Sequence, residues 1–75
     1  MPTINIESEV TGTIWKVEVM QGQAVSEDET LLIVESMKME IPVTAPKAGT
    51  VAEIRVMEGD AVTDQQLLVV LETAA

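Results

Sequence analysis

The sequence repeats itself: shifted by 37 positions, it aligns on itself without a gap. The matched positions are Gly12-Thr13 with Gly49-Thr50, Val19-Met20 with Val56-Met57, Gly22 with Gly59, Ala24-Val25 with Ala61-Val62, Leu31 with Leu68, and Glu35 with Glu72. A repeat restricts architecture strongly, because each copy must bury its apolar face against a neighbour. Two copies are too few for a solenoid. The repeat therefore predicts one closed body with approximate two-fold symmetry, a single domain spanning residues 1–75.

Each half alternates apolar and charged residues with a period of two. The alternating segments are Trp15 to Val19, with Lys16 and Glu18 between the apolar residues, and Ala52 to Val56, with Glu53 and Arg55 between them. This period is typical of half-buried strands, so we expect Trp15, Val17 and Val19 to face the interior. Turn signals follow at Gly22 and Gly59, and no stretch has a helical period. The pattern predicts an all-β protein of two small, mostly antiparallel sheets packed face to face.

Composition excludes several classes of function. The chain has no cysteine and no histidine, so the commonest metal ligands and the usual general base are missing, and we expect neither a catalytic nor a metal site. Thirteen acidic and four basic residues give a net charge of −9, which disfavours nucleic acid and anionic membranes as partners. The aliphatic runs are too short for a bilayer and no signal peptide is visible, so we expect a cytoplasmic protein.

The symmetry singles out Lys38. The shift that aligns the halves places Lys38 over Ala75 and Met39 over Pro2, so the Lys38–Met39 junction corresponds to the gap between the two chain ends. We therefore expect a hairpin tip at one end of the body and both termini at the other, with Lys38 at the tip.

A tight turn at this tip conflicts with local preference. If Met37 and Lys38 are its central residues, the cross-strand pairs are Ser36 with Met39 and Glu35 with Glu40. Two-residue turns favour positive φ and hence Asn-Gly, so Met-Lys costs about 1–3 kcal/mol. The like charges of Glu35 and Glu40 add a small penalty. This conflict suggests that the tip was selected for function.

A lysine amine offers a nucleophile on a long, flexible stem, but at pH 7 it is almost entirely protonated in water. Lys38 is therefore better read as the target of a separate acylating enzyme than as a catalyst. The alternative is structural: a lysine at a turn is usually only solvated, and methionines such as Met37 and Met39 often fill a core.

The segment Glu35-Ser36-Met37-Lys38-Met39 resembles the attachment motif of biotinyl domains, in which a small residue and Met precede the biotinylated lysine and Met follows. The later segments 45–51, 58–62 and 67–68 are similar to those that follow the lysine in acyl-CoA carboxylase carriers. The likeness covers essentially the whole chain and is close to the free-standing biotin/lipoyl attachment proteins. It implies a barrel-sandwich hybrid fold and biotin in amide linkage to Lys38, with Glu35, Ser36, Met37 and Met39 completing the attachment motif.

The resemblance further implies a non-catalytic carrier subunit of a biotin-dependent carboxylase. Its partners would be biotin protein ligase, biotin carboxylase and a carboxyltransferase. The expected acceptor is acetyl-CoA, as in fatty acid biosynthesis, although other acyl-CoAs, pyruvate and urea stay open. Ser36 stands where alanine is usual, and the ungapped match of residues 12–22 to 49–59 leaves no room for the thumb loop of some carriers. An Ala/Pro-rich N-terminal extension is also missing, so we expect a monomer.

Two other interpretations stay open. A lipoyl carrier shares this fold, but such domains usually place Asp before the lysine and a small or apolar residue after it, so Met37 and Met39 favour biotin. An unmodified adaptor module would not need the Met-Lys-Met tip, and this chain has no flanking helical hairpin.

Overall fold

The computed structural model describes residues 2–73, which form eight β-strands. The strands are β1 (Thr3–Glu7), β2 (Gly12–Val17), β3 (Ala24–Val25), β4 (Thr30–Ser36), β5 (Met39–Thr44), β6 (Gly49–Ile54), β7 (Ala61–Val62) and β8 (Leu67–Glu72). Within the described residues no helix is long and apolar enough to cross a membrane.

The strands pair into two four-stranded antiparallel sheets. One has the order β5-β4-β2-β7 and is called the hairpin sheet here, because β4 and β5 form the hairpin that carries Lys38. The other has the order β1-β8-β6-β3 and is called the opposite sheet. The predicted all-β fold of two small antiparallel sheets is thus confirmed.

The two sheets are copies of each other. A shift of 37 residues carries β2 onto β6 and β3 onto β7, and it carries β1 and β4 onto β5 and β8 with ends matching to within one residue. The two-residue strands cross between halves, since β3 pairs with β6 and β7 pairs with β2. Each sheet therefore takes two strands from each half of the chain.

The core lies between the sheets and is aliphatic. In β4, Leu32 and Val34 are fully buried whereas Ile33 and Glu35 between and after them are not, as the period of two requires. The buried apolar set is Ile6, Ile14, Val19, Val25, Leu31, Leu32, Val34, Ala45, Val51, Val56, Val62, Leu68, Val69 and Leu71. Each such Val, Leu or Ile contributes about 1.5–3 kcal/mol when fully buried, which offsets the small size of the domain.

The prediction that Trp15 faces the interior is wrong. Ile14 pairs with Val34 and Lys16 pairs with Ile33, so Trp15 is an extra residue in β2. Trp15 is 48% exposed, and Ile14 before it fills the interior instead. Such a β-bulge interrupts the period of two, because two residues of one strand oppose a single residue of its partner. The alternation starting from Trp15 therefore placed an exposed residue in the interior.

The remaining core predictions of this segment hold. Val17 is partly buried against the core, and Val19, which lies beyond the end of β2, is buried. The second half contains the equivalent bulge at Ala52, and there Ile54 is partly buried and Val56 is buried. The bulge is thus part of the repeated unit, and only its residue differs between halves.

Candidate functional site

The hairpin between β4 and β5 closes with a two-residue turn. Met37 and Lys38 occupy its centre with φ of 51° and 66°, the combination that defines a type I′ turn. The cross-strand pairs are Ser36 with Met39 and Glu35 with Glu40. This register is the one expected from the sequence, and it places Lys38 at the end of the hairpin in a conformation that costs a non-glycine residue stability.

The side chains of the turn lie in solvent. Met37 is 93% exposed and Met39 is 65% exposed, so neither is core filler. Lys38 is also exposed. Among residues 2–73 the ion pairs are Lys16 with Glu18 at 3.6 Å and Arg55 with Glu53 at 3.1 Å, so the Lys38 ammonium has no carboxylate partner there. An incoming enzyme could therefore reach the amine without breaking a contact.

Ser36 fixes the hairpin to the body. Its hydroxyl donates a hydrogen bond to the carbonyl oxygen of Thr11 at 2.9 Å. The Thr11 hydroxyl oxygen in turn accepts a hydrogen bond from the Asp64 backbone N–H at 3.1 Å. The base of the turn is thereby linked to the loop before β2 and to the turn before β8. Sequence reasoning missed Thr11, because no local pattern signals a contact between residues 25 positions apart.

Gly12 allows β2 to approach this hairpin closely. A Cβ at position 12 would collide with the carbonyl oxygen of Glu35, one residue before Ser36. The equivalent Gly49 meets the carbonyl oxygen of Glu72 in the same way. The repeated glycine was visible in the sequence, but its reason is the close backbone approach seen here.

Lys38 lies outside the groove between the edge strands β1 and β5. This groove has a volume of about 280 Å³, and both aliphatic and polar side chains line it. The residues described also hold no cluster of acidic side chains suited to a metal ion. What the structure describes at Lys38 is thus an exposed hairpin tip.

Comparison with known proteins agrees with this geometry. The Biotin_lipoyl family model, described as "Biotin-requiring enzyme", matches residues 1–71. The biotin/lipoyl attachment protein of Bacillus subtilis is 36% identical over 45 residues, which are 60% of this chain and 62% of that protein. The biotinylated protein TB7.3 homolog of Mycolicibacterium smegmatis is 42% identical over 41 residues, 55% of this chain and 58% of that protein. The match thus spans less than two thirds of either relative.

Solved structures share the fold. The urea carboxylase of Kluyveromyces lactis superposes with a TM-score of 0.89 and 34% identity, covering 95% of this chain and 6% of that one. A single-chain, multi-domain long-chain acyl-CoA carboxylase superposes with a TM-score of 0.91 over 96% of this chain and 7% of that one, and at 24% identity it supports the fold alone. The family match covers nearly the whole chain and confirms the expected resemblance to biotinyl domains: this chain belongs to the Biotin_lipoyl family.

Proposed function

We propose that this protein is a biotin carboxyl carrier, with biotin attached to Lys38, that serves the two partial reactions of a biotin-dependent carboxylase. The observation that supports this proposal best is the exposure of the hairpin tip. Lys38 is an exposed lysine without an ion-pair partner among the described residues, and it is held at positive φ between exposed methionines. A catalytic lysine needs a built environment, whereas a lysine that is modified and then inserted elsewhere needs this exposure.

Attachment requires little from the carrier. The Lys38 nitrogen forms an amide bond to the carboxyl carbon of an activated biotinyl donor, the bond from that carbon to its leaving group breaks, and the nitrogen gives up its protons to a base. We assign the activated donor and the base to the ligase, since this chain has no histidine. The exposed tip fits the group because no side chain has to move to admit it. Biotin, when attached, supplies the ring nitrogen that holds the carboxyl group.

The body positions the tip. Ser36 and Gly12 hold the hairpin against β2, so the tether swings from a fixed point and not from a loose loop. Tethering raises the effective concentration of the cofactor at a docked active site to roughly millimolar. The partners we propose are biotin protein ligase, biotin carboxylase and a carboxyltransferase. We further propose that the carrier is a cytoplasmic monomer.

The acceptor proposed first is acetyl-CoA, in keeping with the similarity to acyl-CoA carboxylase carriers. Urea is the second candidate, because the domain of a urea carboxylase is 34% identical and superposes over nearly the whole chain. Incubating the biotinylated carrier with candidate carboxylase subunits, labelled bicarbonate and each acceptor separates the two, since only the correct acceptor takes up label.

The attachment itself is tested by co-expression with a biotin protein ligase. Intact mass should show one biotin per chain, and peptide mapping should locate it to Lys38. Lys38→Arg should abolish labelling, whereas Lys47→Arg, which changes the other lysine without an ion pair among residues 2–73, should not. Lipoate at Lys38, label retained in Lys38→Arg, or no label under an active ligase would each overturn the proposal.

A further inference from the structure

The outer face of the hairpin sheet carries a row of three residues, two of which are apolar. Lys16, Ile33 and Pro42 lie side by side across β2, β4 and β5. Residues directly opposite in antiparallel strands share a face, and Ile33 lies between two fully buried neighbours, so this row points outward. Trp15, the bulge residue before Lys16, is 48% exposed. We call Trp15, Ile33 and Pro42 the outer patch.

The internal repeat supplies a reference for this patch. The equivalent row of the opposite sheet is Glu53, Val70 and Asn5, and the equivalent bulge residue is Ala52. The two sheets have the same strands, register and bulge, so folding makes the same demands at both places. Where the outer patch differs from its copy, the requirements of folding therefore do not explain the difference.

At two positions the outer patch has a larger or more apolar residue than its copy. Trp15 replaces the alanine of the copy, and Pro42 replaces its asparagine. An edge strand alone does not explain the proline, because β1, which contains Asn5, is an edge strand as well. Exposed aromatic surface is unfavourable in water, and docking of another protein is one way to cover it. Tryptophan is also among the residues that most often dominate binding energy at interfaces.

An acidic border separates the outer patch from Lys38. The next row toward the tip is Thr13, Glu35 and Glu40, whereas the equivalent row of the opposite sheet has one carboxylate, Glu72. Neither Glu35 nor Glu40 is ion-paired within the described part of the chain. An apolar centre with a charged rim is the usual anatomy of a protein interface. A surface complementary to this one would have an apolar pocket and, on the side nearer the tip, arginine or lysine.

We propose that the outer patch is the docking surface for the enzyme that acylates Lys38. Ile33 lies three residues before Ser36, about 10 Å along the strand, so a protein that encloses the tip extends over this row. Trp15 is the anchor, seated in an apolar pocket of the enzyme, while basic side chains of the enzyme face Glu35 and Glu40. This proposal rests on the proposed function and adds a recognition surface outside the attachment motif.

Steady-state biotinylation by a biotin protein ligase, at varied carrier concentration, tests the patch. Trp15→Ala and Ile33→Ser should each raise KM for the carrier about 10-fold, with kcat changed less than about two-fold, because they remove docking and leave the tip intact. Trp15→Phe should recover part of the affinity. Val70→Ser makes a matching change on the opposite sheet and should leave KM at the wild-type value.

The results distinguish failure of the docking surface from failure of the proposed function. Unchanged KM for Trp15→Ala and Ile33→Ser, or an equal rise for Val70→Ser, overturns the docking surface while biotin attachment stands. Absence of labelling in the wild type overturns the proposed function and this proposal with it. Sedimentation is run in parallel: a wild-type dimer that Trp15→Ala converts to monomer, with KM unchanged, assigns the patch to a second copy of the chain. Circular dichroism confirms that each variant is folded.

Discussion

Glu35 and Glu40 lie directly opposite each other across β4 and β5, one pair below the pair that closes the Lys38 hairpin. Both carboxylates are exposed. Lys38 is the cation nearest to them along the chain, and acylation removes its charge, taking the formal net charge from −9 to −10. The modified tip is therefore more anionic than the unmodified one, and enzymes that accept it would benefit from basic surfaces.

Neutralising this pair should slow docking. In Glu35→Gln/Glu40→Gln we expect the association rate with the ligase to fall more than the dissociation rate rises, because exposed charges act mainly through steering. Association of the wild type should slow as salt is raised, since the Debye length shortens to about 8 Å at physiological ionic strength. Stopped-flow association over a range of ionic strength measures both. Glu72→Gln, the equivalent change on the opposite sheet, is the control, and a flat salt dependence would contradict steering.

The methionines of the tip should determine recognition and contribute little to stability. Met37→Asp with Met39→Ala should lower the free energy of unfolding by less than about 1 kcal/mol, because both side chains are exposed. The same variant should be a poor substrate for the biotin ligase. Urea denaturation and labelling rates measure the two effects. Leu32→Ala, at a fully buried position, should cost about 2–5 kcal/mol, and a loss of that size from Met39→Ala alone would show that Met39 is core.

A substitution that stabilises the turn should also remove the site of biotinylation. Replacing Met37-Lys38 by Asn-Gly relieves two positive-φ residues and should raise the free energy of unfolding by about 1–3 kcal/mol. The variant cannot be biotinylated, because it lacks the amine. Met39→Asn puts the same asparagine on an extended strand residue and should give no gain. An unchanged free energy of unfolding for the Asn-Gly variant would show that the turn stores no strain.

Gly12→Ala should affect both stability and labelling. The new methyl group would press on the Glu35 carbonyl, and overpacking of this kind costs about 1–3 kcal/mol. Gly49→Ala should cost a similar amount through Glu72, but it leaves the hairpin untouched. We therefore expect slower biotinylation of folded protein for Gly12→Ala only. Equal labelling rates for the two variants would show that this contact does not position the tip.

The repeat and the alternation were enough to predict the fold class, because both are visible in the sequence. The register of the Lys38 hairpin followed once Met37 and Lys38 were taken as the centre of the turn. Trp15 was wrongly expected in the interior, since a bulge adds one residue without any signal in composition. The pairing of β3 and β7 with strands of the other half was not predictable, because two-residue strands have no period. The contact of Ser36 with Thr11 depends on tertiary structure alone.

The exchange of the short strands makes the two halves inseparable. Neither half has a complete sheet of its own, since β3 belongs with β6 and β7 belongs with β2. A peptide of half this length could fold this way only by joining a second copy as a symmetric dimer. Such a dimer would have two equivalent ends, but in the single chain only one is a continuous hairpin. At the other, Thr73 and Pro2 are joined by a hydrogen bond and not by a turn. Covalent duplication thus converts an assembly with two equivalent ends into a body with a single hairpin tip, and under the proposed function one group would be attached per chain.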